Sequence, residues 1–236
     1  MRTYRSQEGP FQERPYFEQA EIEAMCQEEL GRCNLFPSSP EPIRIERFIE
    51  KRFRVTPAYE ELPNGVLGFT RFSTDGVQAI VVSRSLVEEE SRTSERRVNS
   101  TLAHEAGHGL LHAHLFALGS QPERLFAEDF DPRRPRIMCR DEPSGASPKG
   151  RYDGRWWEFQ ANQAIGALLL PKPLAETSLD GTLLVSGGTL GLRRLNPQDR
   201  GRAVEVLATT FNVNRAVARI RLEQLFPARD SAQLSL

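Results

Sequence analysis

The four histidines of this chain of 236 residues all lie between positions 104 and 114. Two of them frame an H-E-x-x-H motif at residues 104–108. Apolar residues at helical spacing around the motif predict a helix from about residue 95 to 116. Residues four positions apart share one helix face, so His104 and His108 can direct two imidazoles at one metal ion. The motif therefore predicts a helix that carries two ligands of a zinc ion.

The glutamate of the motif points in another direction from the histidines. On a helix Glu105 is rotated by about 100° from His104, so it is not placed to be a third equivalent ligand. It can instead accept a proton from a water that the metal has acidified, and that water can attack a peptide carbonyl. The sequence predicts Glu105 as the catalytic base of a hydrolase.

A third ligand is needed because a catalytic zinc ion usually has three protein ligands and one open position. Glu158 begins an apolar helix predicted at about residues 155–170, where a carboxylate on a buried face needs a positive partner. We predict Glu158 as the third ligand, and the alternative is a solvated residue favoured by the helix dipole. Asn162, one turn later, is predicted to accept a hydrogen bond from a ligating imidazole.

Three other residues compete for the third position. His114 has the spacing of the extended H-E-x-x-H-x-x-G-x-x-H motif, but Leu111 replaces its glycine, so the helix should continue and carry His114 about 9 Å along the axis from His108. His112 lies about 6 Å beyond His108 along the axis, which favours packing or a hydrogen bond beside the site. Cys139, in the connection after the helix, is a further candidate as a thiolate.

The rest of the chain predicts a mixture of helices and short strands. Two runs separated by the turn-rich residues 73–76 predict a hairpin, and we expect a small antiparallel sheet. Prolines and glycines make the connection at 117–155 look long and irregular. Further helices are predicted at 16–33, from 43 to a point before 55, at 197–210 and at 214–226, and strands at 53–56, 66–72 and 77–83.

Composition excludes some classes of function. Lys and Arg total 31 and Asp and Glu total 32, so the net charge of -1 gives no global attraction to nucleic acid or to an anionic membrane. The N-terminus carries charges and prolines where a secretory signal needs an apolar stretch, and no run approaches the ~20 apolar residues that span a bilayer. Three cysteines fit a reducing compartment. We expect a cytoplasmic protein.

Taken together, these motifs resemble the ImmA/IrrE-type zinc metallopeptidases. Residues 101–112 are similar to the active-site helix of that family, and residues 158–162 with 168–171 resemble its second signature, in which the glutamate completes the zinc site. Residues 207–214 resemble its helix-turn-helix-like segment. Ser100 and Gly166 depart from the pattern in ways that concern packing, not chemistry.

The resemblance implies an α+β fold with a gluzincin-like, that is zincin-like, metallopeptidase core, in which a small antiparallel sheet lies with the active-site helices. It also implies regulated proteolysis of a partner transcriptional repressor of the helix-turn-helix type, as in stress responses. The expected organisation is a flexible N-terminus at 1–15, the core at 16–175, a linker at 176–195 and a helix-turn-helix-like segment at 196–236.

Two other functions remain open. Direct DNA binding through residues 197–226 would place Arg215, Arg219 and Arg221 against phosphates, but the near-neutral charge disfavours it. A zinc-stabilised interaction or toxin-like protein without hydrolysis would have no use for Glu105. For the peptidase, residues 77–83 would pair with substrate if they form an edge strand. Candidates for oxyanion stabilisation precede Glu158 and are Arg151, Tyr152 and Arg155.

Overall fold

The computed structural model describes residues 2–5, 13–117, 136–140, 156–180, 184–187 and 192–227. The fold is α+β, with one small sheet, two hairpins and mostly helices. The helices are α1 Gln19–Arg32, α2 Ile45–Phe53, α3 Ser85–Glu88, α4 Arg92–Ala117, α5 Trp156–Leu169, α6 Lys172–Leu179, α7 Arg200–Thr210 and α8 Arg215–Leu225, with a 3-10 turn at Pro197–Asp199. No helix in these ranges is long and apolar enough to span a membrane.

The strands are β1 Arg2–Arg5, β2 Glu13–Tyr16, β3 Ala58–Glu60, β4 Val66–Ser73, β5 Gly76–Ser83, β6 Arg136–Arg140, β7 Leu184–Gly187 and β8 Leu192–Leu195. The central sheet has the strand order β3-β5-β4-β6. β4 and β5 form the predicted antiparallel hairpin, β6 pairs antiparallel with β4, and β3 pairs parallel with β5. The sheet is therefore mixed, and the expectation of an antiparallel sheet is wrong. Outside it lie two separate hairpins, β1 with β2 and β7 with β8.

Helix α4 lies between the sheet and helix α5 and carries the motif through the centre of the fold. Small side chains allow α4 and α5 to approach closely, because a Cβ atom added to Gly107 would lie 2.8 Å from the Cβ of Ala164. Ala103, Ala106 and Ala161 along the same contact are fully buried. The close approach brings polar side chains of α5 within reach of the histidines of α4.

The C-terminal helices α7 and α8 pack on the core and form the predicted helical pair. Arg221 of α8 is buried and donates two hydrogen bonds to the carboxylate of Glu23 in α1, and its Nε donates to the carbonyl of Leu170 at 2.9 Å. Gly166, the unusual glycine of α5, leaves room for it, since an added Cβ atom would lie 3.0 Å from Arg221 Cδ. Arg221 therefore faces the core and does not fit the alternative function in which it would contact DNA phosphates.

Several predicted boundaries are also wrong. The strand predicted at 53–56 is absent, because the apolar face of α2 continues to Phe53 and Arg54 then ends the helix with a left-handed φ of 60°. β5, which would pair with substrate only as an edge strand, lies between β3 and β4. Part of the connection expected to be irregular is the strand β6.

The ends of the predicted core differ as well. Two strands occupy part of the lead-in expected at 1–15. The linker expected at 176–195 contains the end of α6 and the β7–β8 hairpin. Pro171 and Pro173, interpreted as the stop of α5, cap and occupy the first turn of α6, where proline is well tolerated.

Candidate metal centre

Two imidazoles of α4 meet at one point. His104 and His108 are both buried, and their Nε2 atoms lie 3.0 Å apart. The rings are nearly perpendicular, at an interplanar angle of 79°. Because the motif places the two histidines one helical turn apart, their Nε2 atoms face the same position.

Glu158 reaches the same position from the first turn of α5. Its Oε2 lies 3.1 Å from His104 Nε2, and its Oε1 lies 3.6 Å from His108 Nε2. Trp156 and Trp157 hold this turn in place, since both are buried in a small cluster with Phe72 of β4 and Leu115 of α4. A carboxylate that is only 14% exposed is thus fixed against both imidazoles.

A chain of hydrogen bonds determines where His108 carries its proton. Gln160 Nε2 donates to the carbonyl oxygen of Pro15 at 2.8 Å, so its Oε1 is left to accept from His112 Nε2 at 3.0 Å. With its proton on Nε2, neutral His112 can only accept at Nδ1, and His108 Nδ1 lies 3.0 Å away as the donor. Burial lowers the pKa of His112 well below its usual value, which keeps this ring neutral. His108 therefore presents an unprotonated Nε2.

His104 is oriented in the same way by α5. Its Nδ1 lies 3.1 Å from Asn162 Oδ1, the contact predicted from the sequence. A proton on Nδ1 leaves a lone pair on Nε2. Both histidines thus direct Nε2 at the carboxylate of Glu158.

Such a set of donors fits a cation. The ligand atoms of the three side chains lie within 4.8 Å of one another. For tetrahedral zinc with bonds of 2.0–2.1 Å, neighbouring ligand atoms lie about 3.3 Å apart, close to the distances of 3.0 to 3.6 Å found here. Burial raises the pKa of Glu158, but the imidazoles outweigh burial and lower it overall, so the carboxylate is ionised and ready to bind. Burial also lowers the pKa of His108, which favours the neutral ligand form.

Glu105 lies beside this centre, and one of its carboxylate oxygens accepts a hydrogen bond. Thr70 of β4 donates to Glu105 Oε2 at 2.7 Å, and both side chains are fully buried. Glu105 Oε1 is buried and has no hydrogen-bond partner among the described residues. Burial raises the pKa of the Glu105 carboxyl to about 8, against the opposing effects of His104 and Thr70. A buried acceptor with a pKa near neutrality can take up a proton and return it.

The other candidates named from the sequence have different outcomes. His114 is half-buried, and it does not belong to the cluster that joins His104, His108 and Glu158. His112 supports His108 by a hydrogen bond, as predicted. The backbone of Cys139 pairs with Gly68 in β4, but its side chain lies outside the described part of the protein. Arg151, Tyr152 and Arg155 also lie outside the described residues.

Sequence reasoning missed three contributors to the centre. These are Thr70, Gln160 and the carbonyl of Pro15, which are isolated polar groups on strands or helices distant in sequence. Gln160 lies in the signature 158–162 and was the one with a local signal, because a buried amide on an apolar helix needs partners. Comparison of the chain with protein-family models, curated proteins and solved structures found no match.

Proposed function

We propose that this protein is a zinc-dependent endopeptidase of the ImmA/IrrE type. The observation that carries the proposal is the convergence of two imidazole nitrogens and a carboxylate, with the unpartnered oxygen of Glu105 beside them. His104, His108 and Glu158 would hold the ion and leave a position open for water. A zinc-stabilised interaction protein has no need of the fourth group, Glu105.

The proposed mechanism assigns one task to each side chain. A bound zinc ion supplies Lewis-acid chemistry, acidifying water and polarising a peptide carbonyl. Glu105 Oε1 accepts the proton of the attacking water and passes it to the departing amine, so that the proton taken from water leaves with the product. Thr70 holds the other carboxylate oxygen and so directs Oε1 towards the reaction. Asn162 and His112 orient the two imidazoles.

The arrangement of elements supports a zincin-like core. The motif helix packs against the sheet, and the third ligand comes from the following described helix, α5, as in the gluzincin pattern. β6 is an outer strand of the sheet as described, and it pairs with β4, which contacts Glu105 through Thr70. We propose that an extended substrate reaches the centre along this side of the sheet, since β5, the strand considered from the sequence, is not an edge strand.

The proposed substrate is a partner transcriptional repressor with a helix-turn-helix fold, cleaved in regulated proteolysis in the cytoplasm. Direct DNA binding by the C-terminal helices has less support, because Arg221 is bound to Glu23 inside the core and Arg215 is paired with Glu205. We propose that α7 and α8 support the core or contact the protein partner.

The test mixes the purified protein with helix-turn-helix repressors of its source organism and, in parallel, with a proteome-derived peptide library. Zinc-loaded protein should cleave one of the repressors, and a chelator should abolish cleavage until zinc is restored. The products are identified by mass spectrometry. A fully zinc-loaded protein that cuts neither a repressor nor any library peptide would contradict the peptidase assignment.

A further inference from the structure

The hydrogen-bond chain behind His108 leaves the metal centre and ends in the N-terminal hairpin. It runs from His108 through His112 and Gln160 to the carbonyl oxygen of Pro15, which lies in β2 and is 145 residues away from Gln160 in sequence. All four residues are buried. Trp156 packs edge-to-face on His112, with ring centroids 5.5 Å apart, and limits rotation of that ring.

The group at the end of this chain of hydrogen bonds fixes which atoms donate and which accept. The carbonyl of Pro15 can only accept, so Gln160 must donate to it with Nε2 and accept from His112 with Oε1. If Gln160 turned over, or if β2 moved away, His112 would no longer be held with its proton on Nε2. A proton on His112 Nδ1 would face the Nδ1–H of His108, and two donors cannot remain 3.0 Å apart.

We propose that Gln160 and His112 are positioning residues that couple the docking of strand β2 to the metal affinity of the centre. While β2 is docked, the chain holds the proton of His108 on Nδ1 and leaves Nε2 for the metal. When β2 leaves, His108 can adopt the alternative tautomer, in which Nε2 carries a proton that zinc must displace. The N-terminal hairpin is thereby a regulatory element of the site. This inference rests on the proposed function only in requiring that the centre bind zinc.

The coupling is reciprocal by thermodynamic necessity. If docking of β2 raises zinc affinity by some factor, zinc must favour docking of β2 by the same factor. Removing a group that orients a metal-bound histidine typically lowers metal affinity by about 10–100-fold. Zinc should therefore protect the strand at Glu13–Tyr16 from amide hydrogen exchange by a factor of similar size.

Two substitutions of one residue separate the parts of the chain. Gln160→Met removes both hydrogen bonds, and we expect zinc affinity to fall by about 10–100-fold. Gln160→Glu keeps an acceptor for His112 but replaces the amide that donates to Pro15, so zinc binding should no longer protect residues 13–16 from exchange. Gln163→Met is the matched control, because Gln163 lies in the same helix and bonds to Gln224 instead.

The measurements use the full chain. Zinc affinity is determined by competition with a chromogenic chelator, the ligand field is followed by Co²⁺ absorption, and exchange at residues 13–16 is followed by mass spectrometry with and without zinc. Zinc should protect these residues in the parent and in Gln163→Met, but in neither Gln160 variant.

Two results would overturn the proposal. One is equal zinc affinity of folded Gln160→Met and Gln163→Met, and the other is unchanged exchange at residues 13–16 when zinc binds the parent protein. The second needs no variant, so it stands even if Gln160→Met does not fold. A parent protein that binds no zinc refutes the metal centre itself, whereas binding and coupling without peptide cleavage refutes only the peptidase.

Discussion

The contact between α4 and α5 should control the metal centre, and Gly107→Ala tests this directly. Gly107 lies between His104 and His108 at the crossing of the two helices. A Cβ atom there would lie 2.8 Å from Ala164 Cβ and 3.2 Å from the carbonyl oxygen of Ala161. Carbon atoms pack best at about 3.5–4.0 Å, so the helices must separate by about 0.7 Å to admit the methyl group.

Gly107→Ala should change zinc affinity more than it changes the free energy of unfolding. Overpacking costs about 1–3 kcal/mol, of which the better helix propensity of alanine returns up to about 1 kcal/mol, leaving a loss of roughly 0–2 kcal/mol. The ligands, however, are divided between the helices, with two histidines on α4 and Glu158 on α5. Ligand distances in metal sites are held to about ±0.2 Å, so a shift of about 0.7 Å should lower zinc affinity at least about tenfold.

The assay combines urea unfolding of the metal-free protein with a zinc competition titration. Gly201→Ala in α7 is the control, because nothing lies within 4 Å of the added Cβ atom. It should gain about 0.5–1 kcal/mol of stability and keep its zinc affinity. A Gly107→Ala protein that binds zinc within twofold of the parent would refute the view that helix separation sets the ligand geometry.

Further substitutions test the ligands and the buried ion pair. Glu158→Ala should lose the single zinc ion per chain while His114→Ala retains it, and metal analysis with the reverse pattern would exclude the proposed ligand set. Arg221→Met should destabilise the protein by about 3–5 kcal/mol in urea unfolding, because it leaves Glu23 buried without its partner. Adding Glu23→Leu should recover most of that loss, and no recovery would contradict this origin of the effect.

The arrangement of the metal centre was predictable because its signals are local. His104 and His108 lie one helical turn apart, and so do Glu158 and Asn162, so helix geometry alone sets which groups share a face. That the two faces meet at one point is a property of tertiary packing. The sequence indicated this meeting because the carboxylate of Glu158, on a buried helix face, needs a positive partner. The structure brings it together with His104 and His108.

The errors lie where distant segments pair. The short apolar run of β6 between Arg136 and Arg140 has no periodicity that separates a strand from a loop, and its pairing with β4 crosses a long stretch of sequence. The same holds for β3, which pairs with a strand more than twenty residues later. Gly166 departs from the family pattern because the side chain of Arg221, from α8, lies against it and leaves little room for a Cβ atom.

The most direct test of the proposed function is the rate of cleavage by zinc-loaded Glu105→Gln, measured beside the zinc-loaded parent on the repressor or on a cleaved library peptide. The substitution keeps the size and shape of the side chain and removes the carboxylate that accepts the proton of water. Zinc content and thermal stability should stay close to those of the parent while the rate falls by about 10²–10⁴-fold. Full activity of Glu105→Gln at equal zinc content would contradict the peptidase mechanism, even with the metal centre intact.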